Sequence, residues 1–202
     1  TGSPEAEAAV ELMVRHMREL GFENVRTEPT TVGHWIRGER EAGRVISRQF
    51  GAIPMPVRAL GGSIATPRRG IRAGVIEVRS IQELRQAGDR AKGKIVFFNE
   101  PMDPTFLDTF HAYEAAAGQR SGGAIEAAKA GGVAAIVRSL TLEINDDPHT
   151  GLMSYLPGVP RVPAVAIATR AADHLSDILG KDPDARFFLK TSCRSLAPVT
   201  SH

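Results

Sequence analysis

The sequence predicts a mixed α/β fold (α+β) in which short helices flank a mixed β-sheet or an open barrel. Short apolar runs that are typical of buried strands alternate with short helices along most of the chain. Apolar residues make up 42% of the 202 residues, which is enough to bury a core. These observations indicate one good-sized domain, with room for a small appendage.

The first segment predicts a helix over residues 4–20. Ser3 is a good N-cap and Pro4 suits the first helical position. Apolar residues recur at the spacing of one helical face: Val10, Met13, Val14 and Met17. A short strand is expected over 24–28. The apolar stripe of the helix needs a packing partner, which can lie outside this chain.

The rest of the chain predicts strands that alternate with helices. Residues 29–56 are expected to be irregular, because glycines and prolines punctuate them. Strands are predicted over 57–60, 73–78, 94–98, 133–137, 164–168 and 185–191. Helices are predicted over 81–87, 121–130 and 171–179. Two long loops, 99–120 and 139–162, are expected to contact a ligand or another domain, because loops of this length usually have a function.

Charge and cysteine content exclude several classes of protein. The net charge is +2 and the basic residues are scattered, so we expect no nucleic acid and no membrane as a partner. No apolar run reaches the roughly 18 residues that a transmembrane helix needs. The single cysteine, Cys193, excludes an intramolecular disulfide framework. We expect the chain to be an excised segment, since it starts at Thr1 and not at Met.

Two motifs resemble catalytic loops but stand in the wrong context. Gly88–Lys94 resembles a phosphate-binding loop, yet Ile95 replaces the required Ser or Thr, and the motif precedes a strand. Gly61–Ala65 resembles a nucleophile elbow around Ser63, yet Pro67 prevents the helix that should follow. We therefore predict no catalytic residue in this chain.

One loop gathers possible metal ligands. Asn145–His149 combines carboxylates with an imidazole, and zinc or calcium accepts such ligands. The cluster is short and Pro148 interrupts it, so a polar turn is the preferred interpretation. We predict no metal site in the chain.

Three aromatic residues lie in the first long loop. Phe106, Phe110 and Tyr113 are spaced by four and three, which suits a short helix with one aromatic face. Two interpretations stay open: the rings pack on the sheet, or they form a contact surface for a partner domain or substrate.

Several short motifs, in their order and spacing, carry a resemblance to a known family. They are Thr1–Ser3, His34–Glu39, Leu60–Pro67, Ala91–Val96, Gly122–Gly131, Ile136–Ser139, Pro148–Gly151 and Val159–Ala164. Together they resemble the secreted exopeptidases that use two zinc ions, and among these the carboxypeptidase Q (plasma glutamate carboxypeptidase) branch.

The resemblance implies a domain organisation. Residues 1–30 resemble an N-terminal fragment of the peptidase domain, 31–192 an inserted protease-associated (PA) domain, and 193–202 the return towards the peptidase domain. The zinc ligands of the family follow that return, and no position here matches them. The resemblance therefore implies a non-catalytic segment without a cofactor, in a zinc metallopeptidase that binds two zinc ions elsewhere.

The resemblance also implies partners and a location. Such an insert lies beside the active-site cleft, so the expected partners are the catalytic domain of the same polypeptide, a peptide substrate at the cleft rim and a second subunit in a homodimer. The candidate rim or interaction residues are His149, Thr150, Tyr155, Phe106, Phe110 and Tyr113. The segment Gly122–Gly123 is a further candidate position. The parent protein is expected to be secreted or periplasmic.

A different class of function fits the same residues. The chain can be a free-standing interaction or ligand-binding α/β module without peptidase activity. That alternative predicts a helix 4–20 that is firmly packed within the chain, whereas the peptidase segment predicts a helix that lacks its partner.

Overall fold

The computed structural model of the chain describes residues 2–39 and 41–201, which form two units. Unit 1 comprises Thr1–Ile36 and Ser195–His202, and unit 2 comprises Arg37–Arg194. The identities predicted for 1–30, 31–192 and 193–202 stay predictions.

Unit 1 contains the predicted helix and a two-stranded sheet. Helix α1 spans Pro4–Glu19, and the hydroxyl of Ser3 accepts a hydrogen bond from the Ala6 N–H at 3.2 Å. Strands β1 (Thr30–Ile36) and β10 (Arg194–Ser201) pair with each other. The strand predicted over 24–28 is wrong, because Asn24 adopts a left-handed φ of 57° that interrupts an extended backbone.

Unit 2 contains an eight-stranded mixed sheet in the order β3-β2-β9-β5-β6-β7-β8-β4. Its strands are β2 (Ala42–Ser47), β3 (Gly51–Met55), β4 (Val57–Ala59), β5 (Ile71–Val78), β6 (Ile95–Phe98), β7 (Ala134–Arg138), β8 (Ala164–Ile167) and β9 (Arg186–Lys190). Strands β5 to β8 are parallel, and β2, β3, β4 and β9 pair antiparallel with their neighbours.

The sheet curls until its two edges approach each other. Strands β3 and β4 lie at opposite ends of the strand order, yet only Pro56 separates them in the chain. Gly43 in β2 lies so close to β4 that a Cβ atom there would be 2.8 Å from Val57 Cγ1. The predicted mixed sheet, close to a barrel and flanked by helices, is confirmed.

Helices cover both faces of this sheet. They are α2 (Ile81–Ala87), α3 (Thr109–Lys129) and α4 (Thr169–Lys181), with a 3₁₀ turn over Gly88–Ala91. Side chains of β6 alternate between two cores: Phe97 packs in the core that contains Leu175 of α4, and Phe98 in the core that contains Leu84 of α2 and Ala124 of α3. Among the described residues, no helix is long and apolar enough to cross a membrane.

Two stretches predicted as irregular are regular in the structure. Residues 29–56 contain β1, β2 and β3, and Pro54 is tolerated because β3 lies at the edge of the sheet. The predicted loop 99–120 is wrong in its second half, where α3 begins at Thr109. Asp108 caps this helix through a hydrogen bond of 2.8 Å from the Phe110 N–H.

Candidate functional site

The carboxyl ends of the parallel strands β5 to β8 form the edge of the sheet where a site is expected. Ligands of parallel α/β sheets bind in the crevice outside these ends. The two longest strand-to-strand connections within unit 2 begin at this edge, from β6 through α3 to β7 and from β7 to β8. The six candidate rim or interaction residues lie in the loops of those connections or in the first turns of α3, and the further candidate position Gly122–Gly123 lies deeper in that helix.

A buried polar network ties the strand ends together. The Arg138 side chain is only 7% exposed, and its Nη1 donates to Asn99 Oδ1 at 3.2 Å and to Asp173 Oδ1 at 2.5 Å. Asn99 Nδ2 donates to Glu77 Oε1 at 2.7 Å, and Ser176 donates to the same oxygen at 2.8 Å. The network joins β5, β6, β7 and α4, so its polar groups are occupied in fixing the edge.

Hydroxyl groups at the ends of β7 and β8 order the loop 139–162. The Ser139 hydroxyl donates to the Ile167 carbonyl and accepts from the His149 N–H, both at 2.8 Å. The Thr169 hydroxyl donates to the Glu143 carbonyl and accepts from the Asn145 N–H, both at 2.9 Å. The loop is therefore held by side chains that follow the strands, without secondary structure of its own over most of its length.

His149 and Thr150 lie on this loop with different surroundings. The His149 side chain is exposed, whereas Thr150 is half-buried. Arg37 Nη2 lies 3.4 Å from Thr150 Oγ1, and Arg37 Nε donates to the Ala59 carbonyl at 3.2 Å. His149 can thus reach a ligand, while Thr150 connects the loop to the segment before β2.

The possible metal cluster Asn145–His149 is not assembled as one. Asp146 forms an ion pair of 2.5 Å with Arg170, and the Asn145 side chain accepts from the Asp147 N–H at 3.1 Å. Across residues 2–39 and 41–201, no group of three His, Cys, Asp or Glu side chains is placed to hold a metal ion. The hydrogen bond between the Asn145 side chain and the Asp147 N–H gives the segment a local polar turn.

Tyr155 is fixed by its hydroxyl group. That hydroxyl donates to the Val162 carbonyl at 2.8 Å and accepts from the Ile64 N–H at 3.0 Å. Burial raises the pKa of the Tyr155 phenol above its usual value. The Arg161 guanidinium lies 5.4 Å from the ring centroid. The phenol therefore positions the backbone around it, and the side chain is half-buried.

The three aromatic residues of the first connection fall in different surroundings. Phe106 precedes α3 and is exposed, and Phe110 and Tyr113 lie in the first turns of the helix. The rings of Phe110 and Tyr113 are stacked with centroids 6.1 Å apart. Tyr113 packs partly on a small core with Met102 and Leu140, while Phe110 remains exposed. Tyr113 therefore packs as the first interpretation predicts, while a contact surface formed by Phe106 and Phe110 stays a prediction.

Arg120 joins the two connections, and the sequence reasoning missed it. Its guanidinium lies over the Tyr113 ring at 5.0 Å and donates to the Tyr113 hydroxyl. A Cβ atom on Gly151 would be 2.7 Å from Arg120 Cζ, so the second connection packs directly on this side chain. The spacing of seven between Tyr113 and Arg120 is the signal that could have found it, but only on a helix that starts before residue 121.

The Gly122–Gly123 candidate position is not in a loop. Both residues lie inside α3, and a Cβ atom on Gly123 would be 3.1 Å from the Phe98 ring. The close approach of helix to sheet explains the small residue at Gly123. Gly123 is thus part of the core, whereas Gly122 is half-buried and a Cβ atom there would meet nothing within 4 Å.

Comparisons with solved structures define the class of protein. The whole chain matches 45% of a peptidase M28 precursor from Shewanella amazonensis SB2B, with a TM-score of 0.92 and 33% identity. A zinc aminopeptidase from Bacillus subtilis shares the fold, with a TM-score of 0.54 and 19% identity over 99% of this chain and 40% of that chain. The chain is a peptidase-related segment with a fold neighbour in peptidase M28.

Sequence comparison shows which peptidases of this class the chain resembles. No protein-family model matches the chain. It is 36% identical to carboxypeptidase Q from Bos taurus over 201 residues, which cover 100% of this chain and 40% of that protein. The chain is thus a carboxypeptidase Q-like peptidase segment, as its motifs predict. It spans less than half of the length of the relatives that it matches.

Proposed function

We propose that this chain is a non-catalytic segment of a carboxypeptidase Q-like zinc peptidase, in which unit 2 is a PA domain that shapes access to the cleft. The observation that carries the proposal is the match of the whole chain to 40% of bovine carboxypeptidase Q. In this proposal the peptide-hydrolysing residues lie outside the 202 residues, in a longer polypeptide.

The apolar face of α1 supports a missing partner domain. No residue of α1 is buried, and Met13 and Phe22 are 54% and 58% exposed. A groove of about 630 Å³ lies along this face, between the helix and residues 22–28, and Val10, Val14, Met17 and Val25 contribute to it. Soluble proteins rarely leave such a surface uncovered. The proposed occupant is the catalytic domain of the same polypeptide.

The chemistry of the described residues does not fit a zinc site. Zinc requires three or four His, Cys, Asp or Glu ligands around one point, and the described part of the chain brings no such group together. We therefore derive no catalytic step from this chain. The two zinc ions that the resemblance implies belong, in this proposal, to the rest of the polypeptide, where such ions activate water.

Unit 2 contributes the cleft rim in this proposal. His149 is the exposed candidate on a loop whose backbone is fixed by Ser139, so it can contact a peptide without a large entropic cost. Phe106 and Phe110 offer exposed aromatic surface on the same edge of the sheet. A homodimer contact and a secreted or periplasmic location are further parts of the proposal, and both rest on the family resemblance.

The rim role is tested in the longer polypeptide with unblocked dipeptides as substrates. His149→Ala is expected to raise KM severalfold with little change in kcat, because a rim contact acts on binding. His174→Ala is the matched control, since His174 is also exposed but lies on α4. An unchanged KM for His149→Ala would contradict the rim role.

Metal analysis tests the non-catalytic part of the proposal. The longer polypeptide is expected to retain two zinc ions per molecule after gel filtration, and the chain 1–202 none. Stoichiometric, tightly bound zinc in the chain 1–202 would overturn the assignment.

A further inference from the structure

An open apolar groove lies beside the carboxyl ends of β6 and β7. We call it the edge groove, and its volume is about 490 Å³. It is lined by Met102, Thr109, Phe110, Tyr113, Leu140, Thr141, Leu142 and Glu143. Met102 and Leu140 form a buried floor, whereas Phe110 and Leu142 are 66% and 41% exposed. The groove has the size of a site for one or two apolar side chains.

The segments around the edge groove are strongly acidic. Residues 99–119 and 140–160 contain seven carboxylates and no Lys or Arg: Glu100, Asp103, Asp108, Glu114, Glu143, Asp146 and Asp147. All 25 Lys and Arg residues and the remaining 16 of the 23 carboxylates lie elsewhere, although the whole chain carries only +2. Two nearby cations offset part of this charge, since Arg120 lies over the ring of the lining residue Tyr113 and Arg170 pairs with Asp146. Even with both cations counted, the groove keeps a net acidic surround.

Three of these carboxylates lie next to the apolar lining. Glu143 lines the groove, and Asp108 immediately precedes the lining residue Thr109. Glu114 lies four positions after Phe110 on α3, so the two residues share one side of the helix. An apolar ligand in the groove therefore comes within reach of several negative charges.

We infer that the edge groove binds a peptide segment that carries a large apolar side chain next to Lys or Arg. The apolar side chain would be removed from water against Phe110, Tyr113 and Leu142. Neighbouring cations would complement the acidic rim, which favours the correct partner and speeds association. A second copy that presented the same face would bring two acidic rims together, and that arrangement is disfavoured. The inference does not depend on peptidase activity.

The binding test uses the chain 1–202 and three labelled peptides: acetyl-KLKFK-amide, acetyl-ELEFE-amide and acetyl-KSKSK-amide. Fluorescence anisotropy at low salt is expected to show at least about tenfold tighter binding of the first peptide than of the other two. The affinity is expected to fall as salt is raised, because salt screens exposed charges. Equal affinity for the basic and acidic apolar peptides would overturn the inference.

Variants locate the binding at the edge groove. The triple change Asp108→Asn, Glu114→Gln and Glu143→Gln is expected to weaken binding of the first peptide about five- to tenfold, since each exposed charge contributes modestly. The Asp108→Asn change removes the charge but keeps a side chain that can cap α3. A control that also removes three exposed charges, Glu11→Gln, Glu23→Gln and Asp177→Asn, is expected to leave the affinity unchanged.

The apolar contact needs its own variant. Phe110→Ser is expected to weaken binding of the first peptide about tenfold without unfolding the chain, because Phe110 is mostly exposed. Thermal unfolding checks the fold of each variant. Binding that survives both the triple change and Phe110→Ser would contradict the inference. So would a dimer in analytical ultracentrifugation that Phe110→Ser dissociates, because a second copy would then occupy the groove.

Discussion

In unit 2, the neighbouring residues Phe97 and Phe98 of β6 are both fully buried, one in each core, whereas in unit 1 no residue of α1 is buried. Both regions have apolar residues at the correct spacing for their secondary structure. The difference is that helices cover both faces of the unit 2 sheet, while the apolar face of α1 stays open. Amphipathic patterning therefore predicts that a face will be covered, but it does not say by which chain segment.

The largest expected effect compares the two regions directly. Phe97→Ala is expected to lower the free energy of unfolding by about 3–5 kcal/mol, because it leaves a cavity in a closed core. Met13→Ala on α1 is expected to change it by less than about 0.5 kcal/mol, as for an exposed position. Urea denaturation followed by circular dichroism measures both. Similar losses in the two variants would contradict the difference in burial between the two regions.

Ion pairs extend the contrast between the two units to polar groups. Arg138→Met in unit 2 is expected to cost about 1–3 kcal/mol, because Asn99 loses a buried partner. Arg26→Met in unit 1 removes an exposed pair with Glu28 and is expected to cost less than about 1 kcal/mol. The same denaturation experiment compares them. An equal cost would show that burial does not distinguish the two pairs.

Glycine variants test the backbone conformation of unit 2 at two positions. Gly118 lies inside α3 with open space around it, so Gly118→Ala is expected to stabilise the chain by about 0.5–1 kcal/mol. Gly88 also has open space, but its φ of 54° disfavours any other residue, so Gly88→Ala is expected to destabilise by about 1 kcal/mol. A neutral Gly118→Ala would indicate that residues 109–120 are not a stable helix.

Alkaline pH gives the smallest expected effect. Burial raises the pKa of the Cys193 thiol above its usual value, and the thiol donates to the Ser63 carbonyl at 3.2 Å. Its contribution to stability is therefore complete below the pKa of the unfolded thiol and is lost as the pH rises through the pKa of the folded state. Cys193→Ser keeps a donor that does not titrate in this range. Urea unfolding at about pH 8 and about pH 10, on either side of the ordinary thiol pKa, is expected to show a smaller loss for the variant than for wild type. An identical loss would exclude Cys193 as the titrating group.

Local signals in the sequence predicted much of unit 2. The helix over Ile81–Ala87 has the predicted bounds because Ser80 caps it: its hydroxyl accepts from the Glu83 N–H at 3.0 Å. The buried strands β6, β7 and β8 are short apolar runs that turn residues delimit. The strands β2 and β3 escaped prediction because Gly43 and Pro54 resemble loop residues. Gly43 fits in β2 because Val57 packs closely against it, and Pro54 fits in β3 because that strand lies at the edge of the sheet. Both reasons become visible only in the folded sheet.

The candidate site was less predictable than the fold. His149 and Phe110 are exposed at the edge of the sheet, as a contact role requires. The hydroxyl of Tyr155, in contrast, is hydrogen-bonded to the backbone of Ile64, which is distant in sequence, and of Val162, which is seven residues away. Arg120 was missed because its partners Tyr113 and Gly151 come together only when α3 starts at Thr109. The contacts of Tyr155, and that of Arg120 with Gly151, depend on tertiary packing, which residue spacing does not encode.

Hydrogen exchange of α1 tests the central claim, that the apolar face of this helix is covered by the rest of a longer peptidase. In the chain 1–202, the amides of residues 8–19 are expected to exchange much faster than those of β6 and β7, because no residue of α1 is buried. In the longer polypeptide, the same amides are expected to become strongly protected. Protection of α1 in the chain 1–202 that equals that of β6 would contradict the claim and favour a free-standing module.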